Sequence, residues 1–204
     1  MSIQARRKRE RAEREKLIVT AARELAESEG WDAVTTRRLA AEIEYSQPVL
    51  YSHFKGKDAI MAAVAVEGFA ELARELRQAR RAVAGGAGGA GDRESLAAVG
   101  RAYTAFARRR PALYDAMFTH AVELPFATPE APAPLWEAFD ELLAAVRPVA
   151  AEGEDPGLLT ETYWAGLHGL ATLMRSGRLP AQAHERRLEL LTGHFTAGAD
   201  RRDG

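Results

Sequence analysis

The segment 34–58, VTTRRLAAEIEYSQPVLYSHFKGKD, restricts the fold of this chain more than any other stretch. It contains two short helical patterns separated by a tight break. Thr35 is placed to cap the first helix, because its hydroxyl can accept a hydrogen bond from a backbone N–H of the following turn. Ser46 occupies the cap position of the second helix, and Pro48 falls in its first turn, where a missing N–H costs little. This order of elements predicts a helix-turn-helix.

The second helix of this motif, which we expect over residues 47–54, turns small side chains outward. At roughly 100° per residue, Leu50 and Phe54 share one side of the helix, which must be the buried side. Pro48 and Val49 lie on the opposite side. The helix is therefore suited to close approach by another molecule on that outward side.

Polar and charged side chains surround the outward side. Gln47 lies in the first turn, and a glutamine amide can pair bidentately with adenine. Tyr51 and His53 fall on the two flanks, where a helix lying in a DNA groove would direct them towards the phosphate walls. Lys57 opens the next helix, where a cation and free N–H groups can jointly hold a phosphate. A Tyr-x-His-Phe run by itself is more often core packing with surface polarity, but its place behind two capped helices favours DNA binding.

These residues also carry a resemblance to a known family. The runs 30–40, GWDAVTTRRLA, and 46–54, SQPVLYSHF, resemble the N-terminal DNA-binding domain of the TetR family of bacterial transcriptional regulators, and its tetracycline repressor branch most of all. The resemblance implies phosphate contacts by Thr36, Tyr51, His53 and Lys57, base contacts by Arg37 and Gln47, and thymine-methyl contacts by Pro48 and Val49. The turn at 43–45 reads IEY, where the family usually has a small residue or glycine.

Composition places the chain among globular proteins and narrows its chemistry. The 204 residues are 47% hydrophobic and 28% charged. No apolar run is long enough to cross a bilayer, and the charged N-terminus is followed by no hydrophobic segment, so we expect neither a transmembrane helix nor a secretory signal. The absence of cysteine excludes a disulfide framework and a thiolate zinc site. We expect a cytoplasmic protein.

Motifs of catalysis and of cofactor binding are missing. The five histidines form no metal-spaced pair with a carboxylate. The glycine run 85–91, GGAGGAG, lacks the preceding strand and the following lysine of a phosphate-binding loop. Neither a nucleophile elbow nor a paired-acid motif occurs. We therefore expect no enzyme activity, no cofactor and no metal.

The net charge of −1 conceals an uneven distribution. Residues 1–16 carry seven Lys/Arg against three Glu, a net charge of +4. A charge run such as 6–9 taken alone is as often a solvated face as a binding site. In front of a helix-turn-helix it favours a disordered arm that touches the DNA backbone or the minor groove.

Helical periodicity continues along the rest of the chain, and no strand pattern interrupts it. The sequence predicts an all-α protein of about nine helices. The first is expected from about Arg6 or Arg11 to Glu29, before a left-handed Gly30, and Trp31 then anchors the core. Residues 1–58 would form the DNA-binding domain with its basic arm, and 59–204 a helical effector-binding and dimerisation domain. The helices after the motif are expected over about 58–84, 93–109, 112–122, 135–150, 158–176 and 181–197, with 85–91 as a flexible connector.

The last two predicted helices have the pattern of a subunit interface. A narrow seam recurs along the final helix, at His184, Leu188, Leu191 and Phe195. Trp164-x-x-x-His168 on the preceding helix resembles a C-terminal domain found in part of the TetR family, in which this region packs subunits together. The pattern favours a homodimeric four-helix bundle, while the alternative is that both stripes close the core of one subunit. A two-fold dimer would present two recognition helices about 34–36 Å apart, so its target would be a palindromic operator.

The middle helices carry more large side chains than a minimal core needs. The candidates for an effector pocket are Tyr103, Phe106, Met117, Phe118, His120, Trp136 and Phe139. Such residues are more often core than pocket, but the TetR resemblance, which implies an inducer-binding domain, favours a small, mostly hydrophobic ligand. That ligand would release a repressor by stabilising a conformation in which the recognition helices are badly spaced. The alternative is an effector-independent, architectural DNA-binding protein.

Overall fold

The computed structural model describes residues 3–83, 89–120, 124–126 and 128–196. Over these ranges the chain is all-α, with nine α-helices and no strand, which confirms the predicted fold class. In chain order the helices are α1 (Ile3–Glu29), α2 (Thr36–Glu42), α3 (Gln47–His53), α4 (Lys57–Val83), α5 (Gly89–Arg109), α6 (Pro111–Phe118), α7 (Ala133–Val146), α8 (Pro156–Arg175) and α9 (His184–Thr196). Each helix of this part of the chain is too short or too polar to span a bilayer.

The helices form two compact units. The first comprises Met1–Gly68 and Arg110–Pro132, and the second comprises Phe69–Arg109 and Ala133–Gly204. Helix α4 therefore contributes to both units, and α6 belongs with the helix-turn-helix. This grouping by contacts differs from a boundary at residue 58, and the functional domains 1–58 and 59–204 stay a prediction.

The first unit packs on the apolar stripe of α1. Ile18 and Ala22 of α1 are fully buried, as are Leu39 on α2 and Leu50 on α3. Burying one leucine side chain stabilises a fold by about 1.5–3 kcal/mol. The two short helices are thus held by their single large apolar positions, with Leu50 on the side that the helical phase predicts.

Trp31 and Glu27 attach α6 to α1. The Trp31 indole is buried, as predicted for a core anchor, and its Nε1 donates to the carbonyl of Ala112 at 2.8 Å. The Glu27 carboxylate accepts from the backbone N–H groups of Ala112 and Leu113 at 3.2 and 3.1 Å, so it caps the first turn of α6. Gly30 precedes Trp31 with φ 83° and ψ 164°, which is an extended conformation available to glycine rather than the left-handed cap expected there.

Helix α1 is longer than the sequence predicts. It begins at Ile3, so the described part of the basic segment is helical where the charge pattern predicts a disordered arm. Ion pairs at i, i+4 support it, with Arg6 to Glu10 at 2.7 Å and Arg11 to Glu15 at 2.8 Å. Of the predicted connector 85–91, residues 85–88 lie outside the described ranges and 89–91 begin α5. Helix α6 ends at Phe118, while its predicted end at residue 122 lies outside those ranges.

The second unit is built around a buried tyrosine. Tyr163 on α8 is fully buried, and its hydroxyl donates to the carbonyl of Leu96 on α5 at 3.0 Å. Burial raises the pKa of Tyr163 to about 12. A Cβ added at Gly100 would collide with the Tyr163 hydroxyl, so glycine at this position allows α5 and α8 to approach closely.

The turn between α2 and α3 is closed by a left-handed residue. The Thr35 hydroxyl caps α2 by accepting from the N–H of Arg38 at 3.1 Å, as predicted. At the other end, the N–H of Tyr45 donates to the carbonyl of Ala40 at 2.8 Å, around Glu44 at φ 56°. At a position with positive φ just after the end of a helix, the residue is usually glycine. Ser46 takes the cap position of α3, but its side chain makes no cap hydrogen bond.

Substitutions at Glu44 test this turn. Glu44→Val should lower the free energy of unfolding by about 1–2 kcal/mol, because a β-branched residue is strained at positive φ, whereas Glu44→Gly should change it by less than about 1 kcal/mol. Urea denaturation measures both. Glu42→Val, at the exposed end of α2, is the matched control for the loss of charge, and equal losses at 42 and 44 would contradict the strain at Glu44.

Candidate nucleic-acid interface

Helix α3 exposes the side that the sequence predicts to be outward. Gln47 and Pro48 are exposed, Val49 is 38% exposed and Tyr51 is 51% exposed, while Leu50 between them is fully buried. The Ser52 hydroxyl donates to the carbonyl of Val49 at 2.6 Å and leaves the small outward surface unobstructed. One side of a seven-residue helix thus carries an amide, two small apolar groups and a phenol, all accessible.

Helices α2 and α3 bring two of the predicted phosphate-contact residues together. The hydroxyl oxygens of Thr36 and Tyr51 lie 3.3 Å apart, in hydrogen-bond range. Arg37 follows on the exposed side of α2 and makes no ion pair with the described residues. The next residue, Arg38, forms a two-pronged ion pair with Glu29, and its hydrogen bonds hold the pKa of Glu29 below its ordinary value. Of the two adjacent arginines, Arg37 is therefore the one available to a ligand.

His53 has surroundings different from those predicted. Its side chain is only 5% exposed, because α1 crosses it, and its Nδ1 lies 3.4 Å from Oε1 of Glu15. Arg11 completes this contact by pairing with Glu15 and donating to the carbonyl of Ser52 at 3.3 Å. The expected open flank is thus covered at His53, and a phosphate contact by this residue stays a prediction.

Lys57 also has an internal partner. Its ammonium Nζ donates to the carbonyl of Trp31 at 2.5 Å, and the residue is half-buried at the start of α4. The same carbonyl accepts from the N–H of Val34, so Lys57 fixes the turn that leads into α2. A phosphate contact by Lys57 stays a prediction, because its ammonium would have to donate to the Trp31 carbonyl and to the phosphate at the same time.

The seven predicted pocket residues do not fall in one unit. Met117, Phe118 and His120 belong to the first unit, where α6 is attached to α1, whereas the others belong to the second. Phe106 is fully buried, Trp136 is 41% exposed, and the hydroxyl of the buried Tyr103 accepts from Nε1 of Trp164 at 2.9 Å. Phe139 is half-buried on α7. Sequence reasoning placed them together because it could not assign α6 to the first unit.

A hollow of about 410 Å³ opens between the end of α1 and α6 within the first unit. His120 is the one predicted pocket residue that lines it, and its ring centroid lies 6.1 Å from that of Trp31. Four of the other nine lining residues are acidic, and two of these, Glu27 and Glu29, are already bound to α6 and α2. Among the described residues, no group of three His, Asp or Glu side chains is arranged to hold a metal ion.

The residues of the predicted dimer seam make contacts within the subunit. Leu188 is 3% exposed, and the ring of Phe195 lies against Tyr163 with centroids 5.2 Å apart. His184 contributes Nε2 to a hydrogen bond with Thr104 on α5 at 3.0 Å, and burial lowers its pKa. Leu191 covers Gly166, where an added Cβ would approach Cδ1 to 2.8 Å. Of these four residues only Leu188 is buried and the other three are half-buried, so a role of the seam in a dimer stays a prediction.

The remaining interface candidates on α8 are partly exposed. Trp164 is half-buried and bonded to Tyr103, as described above, and His168 is half-buried with a pKa lowered by burial. The most exposed large apolar side chains of α8 and α9 are instead Leu158 at 62%, Leu173 at 40% and Leu190 at 60%. The most exposed apolar side chains of these two helices are thus not among the predicted interface residues.

Comparison with known proteins identifies the family. Residues 18–64 match the model of bacterial regulatory proteins of the tetR family, and residues 96–195 match the tetracyclin repressor-like C-terminal domain. These matches point to a regulatory protein rather than an enzyme. The helix-turn-helix and the helical second part define a regulator of this class. The chain belongs to the TetR family of transcriptional regulators.

Two curated relatives align with parts of the chain. The uncharacterized HTH-type transcriptional regulator YobS of Bacillus subtilis (strain 168) is 30% identical over 102 residues, which are 50% of this chain and 50% of that protein. The tetracycline repressor protein class D of Escherichia coli is 46% identical over 50 residues, which are 24% of this chain and 23% of that protein. The chain therefore spans half of the first relative's length and about a quarter of the second's.

Solved structures share the fold over most of the chain. A protein of unknown function from Rhodococcus sp. RHA1 is 23% identical, with a TM-score of 0.74 over 90% of this chain and 94% of that chain. A TetR variant from Acinetobacter baumannii AYE in complex with minocycline is 18% identical, with a TM-score of 0.58 over 92% of this chain and 96% of that chain. Both likenesses show the all-α architecture.

Sequence reasoning missed a buried ion-pair cluster in the second unit. Glu141 on α7 is 7% exposed, and its two oxygens accept from Nε of Arg77 at 2.6 Å and Nη2 of Arg80 at 2.7 Å. Burial would raise the pKa of Glu141, but the hydrogen bonds from the two guanidinium groups outweigh it and hold that pKa below its ordinary value. The signal in the sequence was an acidic residue in the buried phase of α7, between Ala138 and Ala145, together with two arginines three residues apart on α4.

Glu141→Gln should lower the free energy of unfolding by about 1–3 kcal/mol at neutral pH, less than for a fully buried pair because the Arg77 side chain is 39% exposed. Since the pKa of Glu141 is lowered in the folded state, its contribution is fully present above the ordinary value of 4.5 and is lost as the pH falls through the folded-state pKa. The difference from wild type should therefore shrink in urea denaturation below pH 4.5. Asp140→Asn, on the exposed side of α7, is the control, and a difference independent of pH would contradict the ionised cluster.

Proposed function

We propose that this chain is a sequence-specific DNA-binding transcriptional regulator that acts in the cytoplasm. The observation that carries the proposal is the outward side of α3, where Gln47, Pro48 and Val49 are accessible while Leu50 is fully buried. A helix with small residues outward can enter a major groove, and an accessible amide can read adenine there. Family membership supports the same partner, double-stranded DNA.

The contact residues divide by the chemistry of their side chains. Thr36 and Tyr51, whose hydroxyls lie 3.3 Å apart across two helices, are suited to one phosphate on the wall of the groove. Arg37 is exposed beside them and is suited to a base edge. We expect Lys57 to act on phosphate as well, and His53 to act mainly by fixing α3 to α1 through Glu15.

The active form would be a homodimer on a palindromic operator. Three exposed leucines, Leu158, Leu173 and Leu190, supply apolar surface on α8 and α9 that a second copy of the chain would cover. A second copy related by a two-fold axis would present a second α3. The interface would use these outward sides, because the seam of Leu188 and Phe195 is occupied within the subunit.

We further propose that the protein is a repressor that a small, mostly hydrophobic molecule releases from its operator. The match of residues 96–195 to a tetracyclin repressor-like C-terminal domain supports an effector-binding role for the second part of the chain. A structural neighbour, the TetR variant from Acinetobacter baumannii AYE, was solved in complex with minocycline, which is consistent with such a role. Differential affinity of the ligand for the two conformations would supply the energy of release.

Selection of preferred duplexes from a random pool tests the DNA partner. We expect a palindrome with half-sites about one helical turn apart, bound far more tightly than random duplex at the same salt concentration. Recovery of no preferred sequence, with a steep salt dependence on every duplex, would instead favour the architectural alternative.

Two substitutions separate base reading from phosphate binding. Gln47→Ala should weaken operator binding by about 1–3 kcal/mol and relax the preference at one base position. Lys57→Ala should weaken all duplexes alike and lower the salt slope by about one unit. Lys55→Ala, at an exposed neighbouring lysine, is the matched control, and thermal melting separates weaker binding from loss of the Lys57 bond to Trp31. A change of base preference in Lys57→Ala would contradict this division.

Release by a ligand is tested with a compound that raises the melting temperature of the free protein. Such a compound should lower the affinity for the selected operator by about 5–150-fold, and saturating operator should lower the affinity for the compound by the same factor, because coupling is reciprocal. Fluorescence anisotropy measures the first effect and calorimetry the second. An operator complex indifferent to every compound that binds would remove the release mechanism and leave DNA binding intact.

A further inference from the structure

The side of α1 that packs on the helix-turn-helix continues into a basic stripe. Over residues 18–26 this side is apolar, with Ile18, Ala22 and Leu25 buried. One to three turns earlier, this side of the helix carries cations: at roughly 100° per residue, Arg7, Arg11 and Arg14 lie within about 40° of the direction of Ile18, and Lys8 lies about 80° from it. We call Arg7, Lys8, Arg11 and Arg14 the basic stripe.

The charges of the stripe are largely uncompensated. Arg7, Lys8 and Arg14 are exposed and make no hydrogen bond or ion pair with the described residues. On the opposite side, Arg6 is paired with Glu10 at 2.7 Å. Apart from Lys16, which is exposed at roughly 160° from Ile18, the cations of α1 that have no partner among the described residues lie on this side of the helix.

Contacts with α3 fix the direction in which the stripe faces. Arg11 donates to the carbonyl of Ser52 at 3.3 Å, near the last turn of α3, and Glu15 lies 3.4 Å from the ring of His53. The stripe therefore faces the same side of α1 as the candidate recognition helix. Arg7 and Lys8 lie one turn beyond this crossing, where no described residue covers them.

We infer that the basic stripe of α1 is a second DNA-binding element, which contacts the phosphates of the duplex strand that passes the end of α3. This inference rests on the proposed DNA binding and names further residues for it. From Arg14 to Arg7 the helix rises by about 10 Å, which corresponds to roughly three base-pair steps of one strand. A rigid helix, joined to α3 through Arg11 and Glu15, would hold these cations in register with the groove that α3 occupies, unlike a disordered arm.

The test removes two charges from either side of the helix in the full-length protein. Arg7→Gln with Lys8→Gln alters the stripe, and Arg6→Gln with Arg9→Gln is the matched control with the same change in net charge. Fluorescence anisotropy with the selected operator, and with random duplex, is measured between about 50 and 200 mM salt. Circular dichroism confirms that both variants keep the helix content and melting temperature of the wild type.

We expect the stripe variant to lower the salt slope by about two per subunit and the affinity at physiological salt by on the order of tenfold or more, equally for both duplexes. The control should lose less than about a quarter of that slope. Equal losses in the two variants would overturn the inference, because they would reflect net charge alone. Unchanged slopes in both would overturn it while DNA binding stands, whereas a wild-type protein that binds no duplex even at low salt would overturn the proposed function as well.

Discussion

The outward surface of α3 depends on the burial of one leucine. Helices of seven residues, such as α2 and α3, are too short to form alone in water, because nucleation costs more than a few hydrogen bonds return. The fully buried Leu50 fixes the rotation of α3, and that rotation determines which side chains reach the surface. The directions of Gln47, Val49 and Tyr51 are fixed as well, because these residues lie in the same short helix as Leu50. At the end of α3, Nδ1 of His53 lies 3.4 Å from Oε1 of Glu15 and attaches the helix to α1.

Local chemistry explains why part of this surface could be predicted. Residues within one turn of the chain determine the cap at Thr35, the break before Ser46 and the phase of Leu50. Helical periodicity then determines which neighbouring side chains are exposed. The covering of His53 depends on Glu15, which lies 38 residues earlier. Such a contact depends on how far α1 extends. That extension depends on weak i, i+4 ion pairs, and a count of charges cannot tell a helix with such pairs from a disordered segment.

The second unit shows the same limit for sequence patterns. An apolar stripe on α9 indicates that one side is buried but not which partner buries it, and in this chain Tyr163 and Gly166 do so from the neighbouring α8. Glu141 is a further case. In the sequence, its carboxylate only interrupts the apolar side of α7, and its role becomes clear when the arginines of α4 are found beside it. Long-range pairing, rather than secondary structure, is what the sequence leaves open.

The attachment of α6 through Glu27 and Trp31 bears on how the recognition helices can be isolated. A fragment that stops at residue 58 would lose Ile60 and Val64, both fully buried, and would leave the indole of Trp31 without the carbonyl of Ala112. Two charged oxygens of Glu27 would also lose the N–H groups that they cap. A fragment designed to keep the helix-turn-helix folded would therefore have to include chain from beyond residue 109. A simple truncation would expose its core.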